Sequence, residues 1–282
     1  MRDFADRIKR LLVGRPVPSG ALGETLLPKR IALPVFASDA LSSVGYAPDE
    51  VLITLAVAGV VATSLSPWVA LAVVGVLAVV VASYRQTVHA YPSGGGDYEV
   101  VSANLGSHAG LLVASALLSD YVLTVAVSVS SGTSYLAAAL PALVPYKVEI
   151  AVAVVTVLAV LNMRGSRESG RAFAIPTYLY MGVIGIMAVV GLVQELTGTL
   201  GRAESAGFDV VTHAGWEQGL TGLAGGFLVL RAFSSGCAAL TGVEAISNGV
   251  PSFQRPKSRN AATTLLLLGG IAALMLMSVI HL

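Results

Sequence analysis

Long apolar runs recur along the chain, separated by short polar stretches, at residues 31–61, 67–90, 109–140, 148–163, 172–197, 222–249 and 261–281. A helix needs about 20 apolar residues to cross a bilayer. None of the runs shows the alternating, roughly ten-residue segments of a membrane barrel. The pattern therefore predicts seven membrane-spanning helices, because a spanning backbone must satisfy its own polar groups. The first and sixth runs are long and carry Ser, Gly and acidic residues in mid-run: "ASDALSSVGYAPDE" (37–50) and "FSSGCAALTGVEAISNG" (233–249).

Each of those two stretches predicts a helix interrupted inside the membrane. In the first, residues 31–36 and 47–61 supply about 9 and 22 Å of helix, together the depth of a hydrocarbon core of about 30 Å. Pro48 suits the first position of the outer piece, with Asp49 and Glu50 in its first turn against the positive dipole end. Two interrupted spans, five apart and of opposite direction, predict a five-plus-five inverted repeat with a substrate site at the breaks. Only two spans of the second repeat lie in this sequence, so the expectation is a transporter domain over residues 31–282 with its second repeat incomplete, preceded by a cytoplasmic segment at residues 1–30.

Composition agrees with a membrane protein. The chain has 282 residues, 55% apolar and 12% charged, with a mean hydropathy of +0.79; a soluble domain carries about 25% charged residues. Fourteen of the seventeen Lys and Arg residues fall in segments that seven spans place on one side: 1–30, Arg85, "RGSRESGR" and "RPKSR". Lys147 and Arg202 fall on the other side, and Arg231 is inside the sixth run. The positive-inside rule then puts the N-terminus in the cytoplasm of a multi-pass inner-membrane protein. A single cysteine, Cys237, and four scattered histidines leave no metal-ligand spacing. "YPSGGGDYE" (91–99) follows a membrane helix rather than a strand, so it reads as a connection and not a phosphate loop.

Charge inside the spans changes the picture. Asp120, Thr124 and Ser128 recur at i, i+4 and i+8, one face of the third span. A charge at a helix centre costs roughly 2.5–3.5 kcal/mol even on insertion scales, so an intramembrane acid marks a functional site. Asp39 lies in the first interrupted stretch, with Tyr46 beyond it; Thr241 and Glu244 follow the small residues of the sixth. Arg231 stands about one turn before that break. Three carboxylates and several neutral oxygens suit a hard cation, which the acids would hold and the breaks would help to coordinate with backbone carbonyls. Glu244 is the choice for proton coupling because it follows the sixth-span break; Asp120 and Asp39 could share that role, since coupled acids titrate as a set.

"FASDALSSVGYAPDEVL", "YPSGGGDY", "SDYVLTVAVSVSSGT" and "RAFSSGCAALTGVEAISNGVPSF" together resemble the KimA-type potassium importers, in the KUP group of the amino acid–polyamine–organocation superfamily. The resemblance runs over residues 31–281. It implies an all-α integral membrane protein with the LeuT-like inverted-repeat fold and discontinuous helices one and six. It also implies potassium–proton symport and a homodimer, with no enzymatic activity, no cofactor and no nucleic-acid partner. The potassium positions it implies are Asp39, Tyr46, Asp120, Thr124, Ser128 and Thr241, with Glu244 and Asp120 coupling the proton. Such importers have twelve spans and a cytoplasmic domain, so this sequence is expected to be their N-terminal portion. Two other readings stand beside it: an amino acid or polyamine permease of the same superfamily, and a non-transporting, truncated membrane protein.

Overall fold

A computed structural model describes residues 26–163, 166–202, 207, 212–213, 215–216 and 219–282, without the side chains of 166–169 and 171–172. The expected segment at residues 1–30 thus falls almost wholly outside the described residues. Among these, the chain is helical, with one isolated bridge between Leu27 and Phe253. The helices are α1 (Lys29–Ala56), α2 (Val60–Thr63), α3 (Ser66–Ala90), α4 (Asp97–Leu105), α5 (Ser107–Ala139), α6 (Lys147–Met163), α7 (Ser166–Leu196), α8 (Gly222–Gly236), α9 (Val243–Asn248) and α10 (Lys257–His281). A 3-10 helix, Pro141–Tyr146, joins α5 to α6, and another, Cys237–Leu240, follows α8.

Six segments among the described residues are long and apolar enough to cross a membrane: Val60–Ala90, Ser107–Ala139, Pro141–Met163, Phe173–Leu196, Gly222–Asn248 and Lys257–His281. They coincide with the second to seventh apolar runs. At 28 residues and about 1.5 Å each, α1 is also long enough, but it carries Lys29, Arg30, Asp39, Asp49 and Glu50.

The first run differs from the sequence expectation. Residues 37–50 do not interrupt the helix; α1 is continuous from Lys29 to Ala56. Helix one is therefore not discontinuous here. Pro48 lies in its interior, and Asp49 and Glu50 are exposed mid-helix residues rather than first-turn acids. Pro48 removes a single N–H donor, and neighbouring protein and hydroxyl side chains let membrane helices tolerate such a loss. The small residues here serve close packing: Ala37, Ala40, Ser43, Val44 and Ala47 are almost fully buried. The Ser42 hydroxyl bonds back to Asp39 O at 2.8 Å, within the helix.

The chain divides into two compact units. One comprises Met1–Ala37, Gln86–Pro176 and Glu244–Thr264; the other comprises Ser38–Arg85, Thr177–Val243 and Leu265–Leu282. Every boundary falls inside a helix. In the first unit Leu27 pairs with the stretch after α9: Leu27 N donates to Ser252 O at 2.8 Å, and Gln254 N donates to Leu27 O at 3.1 Å. Phe36 stacks on Phe253 with centroids 5.4 Å apart. Gly249 lies against the Phe36 ring, where an added Cβ would come within 2.5 Å of it.

The second unit has a core of Val51 and Leu55 from α1, Ala58, Ala62 from α2, Val69 from α3, and Leu228 and Ala232 from α8. Gly236, at the end of α8, sits where an added Cβ would meet Val51 at 2.9 Å and Val73 at 3.1 Å. Small residues at such crossings let helix backbones approach in a medium that provides no hydrophobic drive of its own. Truncating Leu55, which is fully buried, leaves a cavity. Leu55→Ala should destabilise the protein by about 2–5 kcal/mol, read as a lower thermal unfolding midpoint in detergent. Ile53→Ala, at a site 65% exposed, should leave that midpoint almost unchanged.

Candidate functional site

The sixth span is interrupted where the sequence places its small residues. After Gly236 the chain tightens into the 3-10 turn Cys237–Leu240, Thr241 is extended (ψ 146°), and Gly242 takes φ +78° before α9 begins. That φ suits glycine alone among ordinary residues. The close approach to α1 excludes a side chain as well: an added Cβ at Gly242 would lie 2.7 Å from Asp39 Oδ2 and 2.8 Å from Ala40 N. The interruption therefore seats its backbone directly on residues 39–40.

One turn further along α1, three hydroxyls meet. Ser43 Oγ is 2.7 Å from Thr241 Oγ1 and 2.9 Å from Tyr46 Oη. Thr241 Oγ1 donates to Ala238 O at 2.8 Å. Each hydroxyl has one hydrogen, so the order follows: Tyr46 donates to Ser43, Ser43 donates to Thr241, and Thr241 donates to the carbonyl of the broken turn. All three hydrogens are spent inside the relay. Only oxygen lone pairs remain to face a ligand, which suits a cation and not an anion. Ser43 is fully buried and Tyr46 is 8% exposed, so water competes little for them.

The other unit holds a second cluster. Asn248 Nδ2 donates to Tyr121 Oη at 3.0 Å. The Tyr121 hydroxyl is also hydrogen-bonded to Glu244, and Asp120 is near enough for its charge to act on it. Because the amide already donates to the phenol, the phenol's own hydrogen goes to the Glu244 carboxylate. Thr124 and Ser128 lie one and two turns further along α5 on the Asp120 face, half-buried like Asp120 itself. The stretch "SGGGD" before α4 steadies α9. Gly95 N donates to Ser247 O at 3.0 Å, and Ser247 Oγ donates to Gly95 O. An added Cβ at Gly96 would fall 1.4 Å from Asn248 Oδ1, so the lack of a side chain there makes room for Asn248. This connection is a support for α9, more than the simple link its composition implies.

Of the seven expected residues, Asp39, Tyr46 and Thr241 thus come together in one unit. Asp120 and Glu244 come together in the other, through Tyr121, and Thr124 and Ser128 continue the Asp120 face. Three residues had escaped the sequence reading. Ser43 is one of several serines with no distinguishing spacing. Tyr121 follows Asp120 in an apolar run. Asn248 carried a usable signal, since it lies four residues after Glu244 on one helix face.

The model for the amino acid permease family matches residues 35–282. The chain belongs to the amino acid permease family. It is similar to the potassium transporter KimA of Bacillus subtilis (strain 168), with 44% identity over 268 residues, 95% of this chain and 43% of that protein. It is also similar to "Probable potassium transport system protein Kup 1" of Bradyrhizobium sp. (strain ORS 278), with 32% identity over 137 residues, 49% of this chain and 20% of that protein. The chain spans less than half the length of these relatives. The match covers both clusters of this family member, and neither cluster contains a lysine or arginine.

Gly242 offers a direct test of the site's geometry. Gly242→Ala puts a Cβ into a left-handed conformation, at about 1–2 kcal/mol, and into the Asp39 carboxylate. Its thermal midpoint in detergent should fall clearly, whereas Gly75→Ala, inside α3 where an added Cβ meets nothing within 4 Å, should not lower it and should raise it slightly, since alanine is the better helix former.

Proposed function

We propose that the chain forms the ion path of a potassium–proton symporter in the inner membrane. Potassium is the substrate; Asp39, Tyr46 and Thr241 in one unit, and Asp120, Thr124 and Ser128 in the other, each supply oxygen ligands for it. Glu244, with Asp120, carries the coupling proton. The observation that carries this reading is the 44% identity, over 268 residues, with a protein named a potassium transporter. The hydroxyl relay supports it, since Tyr46, Ser43 and Thr241 turn their hydrogens on one another and leave oxygen lone pairs for a hard cation. No cofactor or enzymatic step is needed. Family membership and the interrupted sixth span support the LeuT-like inverted repeat, with α1 as a continuous helix that packs on the break instead of breaking itself. In the same reading the domain spans the membrane seven times over residues 31–282, residues 1–30 and the N-terminus are cytoplasmic, and the protein is a homodimer.

A second reading, an amino acid or polyamine permease, is favoured by the description of the matching family. Against a zwitterionic substrate stand the like charges of Asp39, Asp120 and Glu244 and a hydroxyl relay whose hydrogens are already spent, which leave its carboxylate facing acids and lone pairs. Uptake of rubidium and of labelled amino acids into proteoliposomes separates the two. Rubidium uptake blocked by excess potassium supports the symporter; amino acid uptake without rubidium uptake overturns it.

Two substitutions probe the roles. Asp120→Asn keeps the shape but removes a charge that offsets ion dehydration. A loss of about 1.4 kcal/mol in ion binding is tenfold in affinity, so rubidium uptake at low concentration should fall at least about tenfold at unchanged membrane abundance. Normal uptake would make the α5 stripe structural. Glu244→Gln should abolish rubidium accumulation driven by an inward proton gradient while downhill exchange persists. Accumulation that still follows the gradient would remove Glu244 as the proton carrier.

A further inference from the structure

Between α5 and α6, within the first unit, lies a cavity of about 420 Å³ that the ion path does not use. Its walls are mainly apolar, with Val129 from α5 and Ala151, Val152 and Val155 from α6, while the small Ser130 and Ser134 of α5 add two hydroxyls to the lining. Two threonines also line it, but their hydroxyls turn back into their own helices. Thr133 donates to Ser130 O at 2.9 Å and Thr156 to Val152 O at 2.7 Å, so the groove meets mainly their carbon atoms. The one charged residue in the lining is Lys147, at the first position of α6. It is half-buried and has no ion-pair partner among the described residues. Glu149, two positions on, points away on a helix.

Depth and flanking aromatics place the groove in a membrane. From Lys147 to Thr156 the helix rises about 14 Å at 1.5 Å per residue, close to half of a hydrocarbon core of about 30 Å. Tyr135 and Tyr146, beside the lysine end, are 48% and 57% exposed, and exposed tyrosines favour the headgroup level. The lysine end thus lies at the headgroups, and the apolar trough runs the depth of one leaflet.

The geometry points to a binding site for one anionic phospholipid, with an acyl chain along the α5–α6 groove and its phosphate on the Lys147 ammonium. A zwitterionic lipid would fill the trough equally well, but its headgroup brings a positive charge toward the lysine. The assignment rests on the groove alone and stands apart from the transport reading.

The test uses phosphatidylglycerol and phosphatidylcholine probes with a photoreactive group in the acyl chain, incorporated with the protein into vesicles. Labelled peptides are mapped by mass spectrometry. The phosphatidylglycerol probe should label the Val129 and Val152 peptides about fivefold more than the phosphatidylcholine probe, the worth of one lysine near an anionic surface. Lys147→Gln should remove that preference and Lys147→Arg should keep it. Ala151→Phe, which fills the trough, should lower groove labelling by both probes. Equal labelling of the wild type by the two probes, or an undiminished preference in Lys147→Gln, would overturn the assignment. So would absence of label from the groove while other lipid-facing peptides react, which would mean that protein covers it.

Discussion

A helix interrupted inside a bilayer frees peptide groups that lipid cannot satisfy, so the interruption must be covered by protein. The sixth span meets this requirement by laying Gly242 onto α1, where its hydrogen replaces a side chain at Asp39 and Ala40. Much of the candidate site follows from that contact. It brings Thr241 within 2.7 Å of Ser43, and through Ser43 it engages Tyr46. The Thr241 hydroxyl and amide both return to Ala238 O, at 2.8 and 3.1 Å, which satisfies the carbonyl that the break would otherwise strand.

Satisfying the break in this way sets the chemistry that is left over. Hydroxyls are versatile, each offering a hydrogen and two lone pairs. A relay that ends on a carbonyl uses up every hydrogen and leaves a surface that is electron-rich throughout. In the other unit Asn248, Tyr121 and Glu244 follow a similar logic: the amide donates to the phenol, and the phenol donates to the carboxylate. There the support is the glycine-rich connection before α4, whose Gly95 exchanges two hydrogen bonds with Ser247.

The sparsely buried helices contrast with these crowded contacts. Of the most apolar stretch in each, 6% of α5 and of α7 is buried, and none in the segment containing α6, against 39% of α10. Apolar side chains facing outward cost little in hydrocarbon, so these helices hold their place through a few close contacts. One such contact is Gly170 of α7, whose added Cβ would meet Val35 at 2.6 Å.

Span positions were legible in the sequence because hydropathy sums over some 20 residues and does not depend on what each residue touches. The Asp120, Thr124 and Ser128 face followed from helical period, and the sixth-span interruption from its small residues and Gly242. The same kind of signal misled at the first run. Serines, Gly45 and Pro48 resemble a break, yet α1 runs through them. Gly45 is needed for the close approach of Tyr180, whose hydroxyl would lie 2.5 Å from an added Cβ. A small polar residue permits either a break or a tight contact, and local sequence cannot distinguish them, because the choice depends on the element that arrives from far along the chain. Ser43 shows the same limit. Its role is created by Thr241, 198 residues away, and only the folded chain sets that hydroxyl apart from the serines around it.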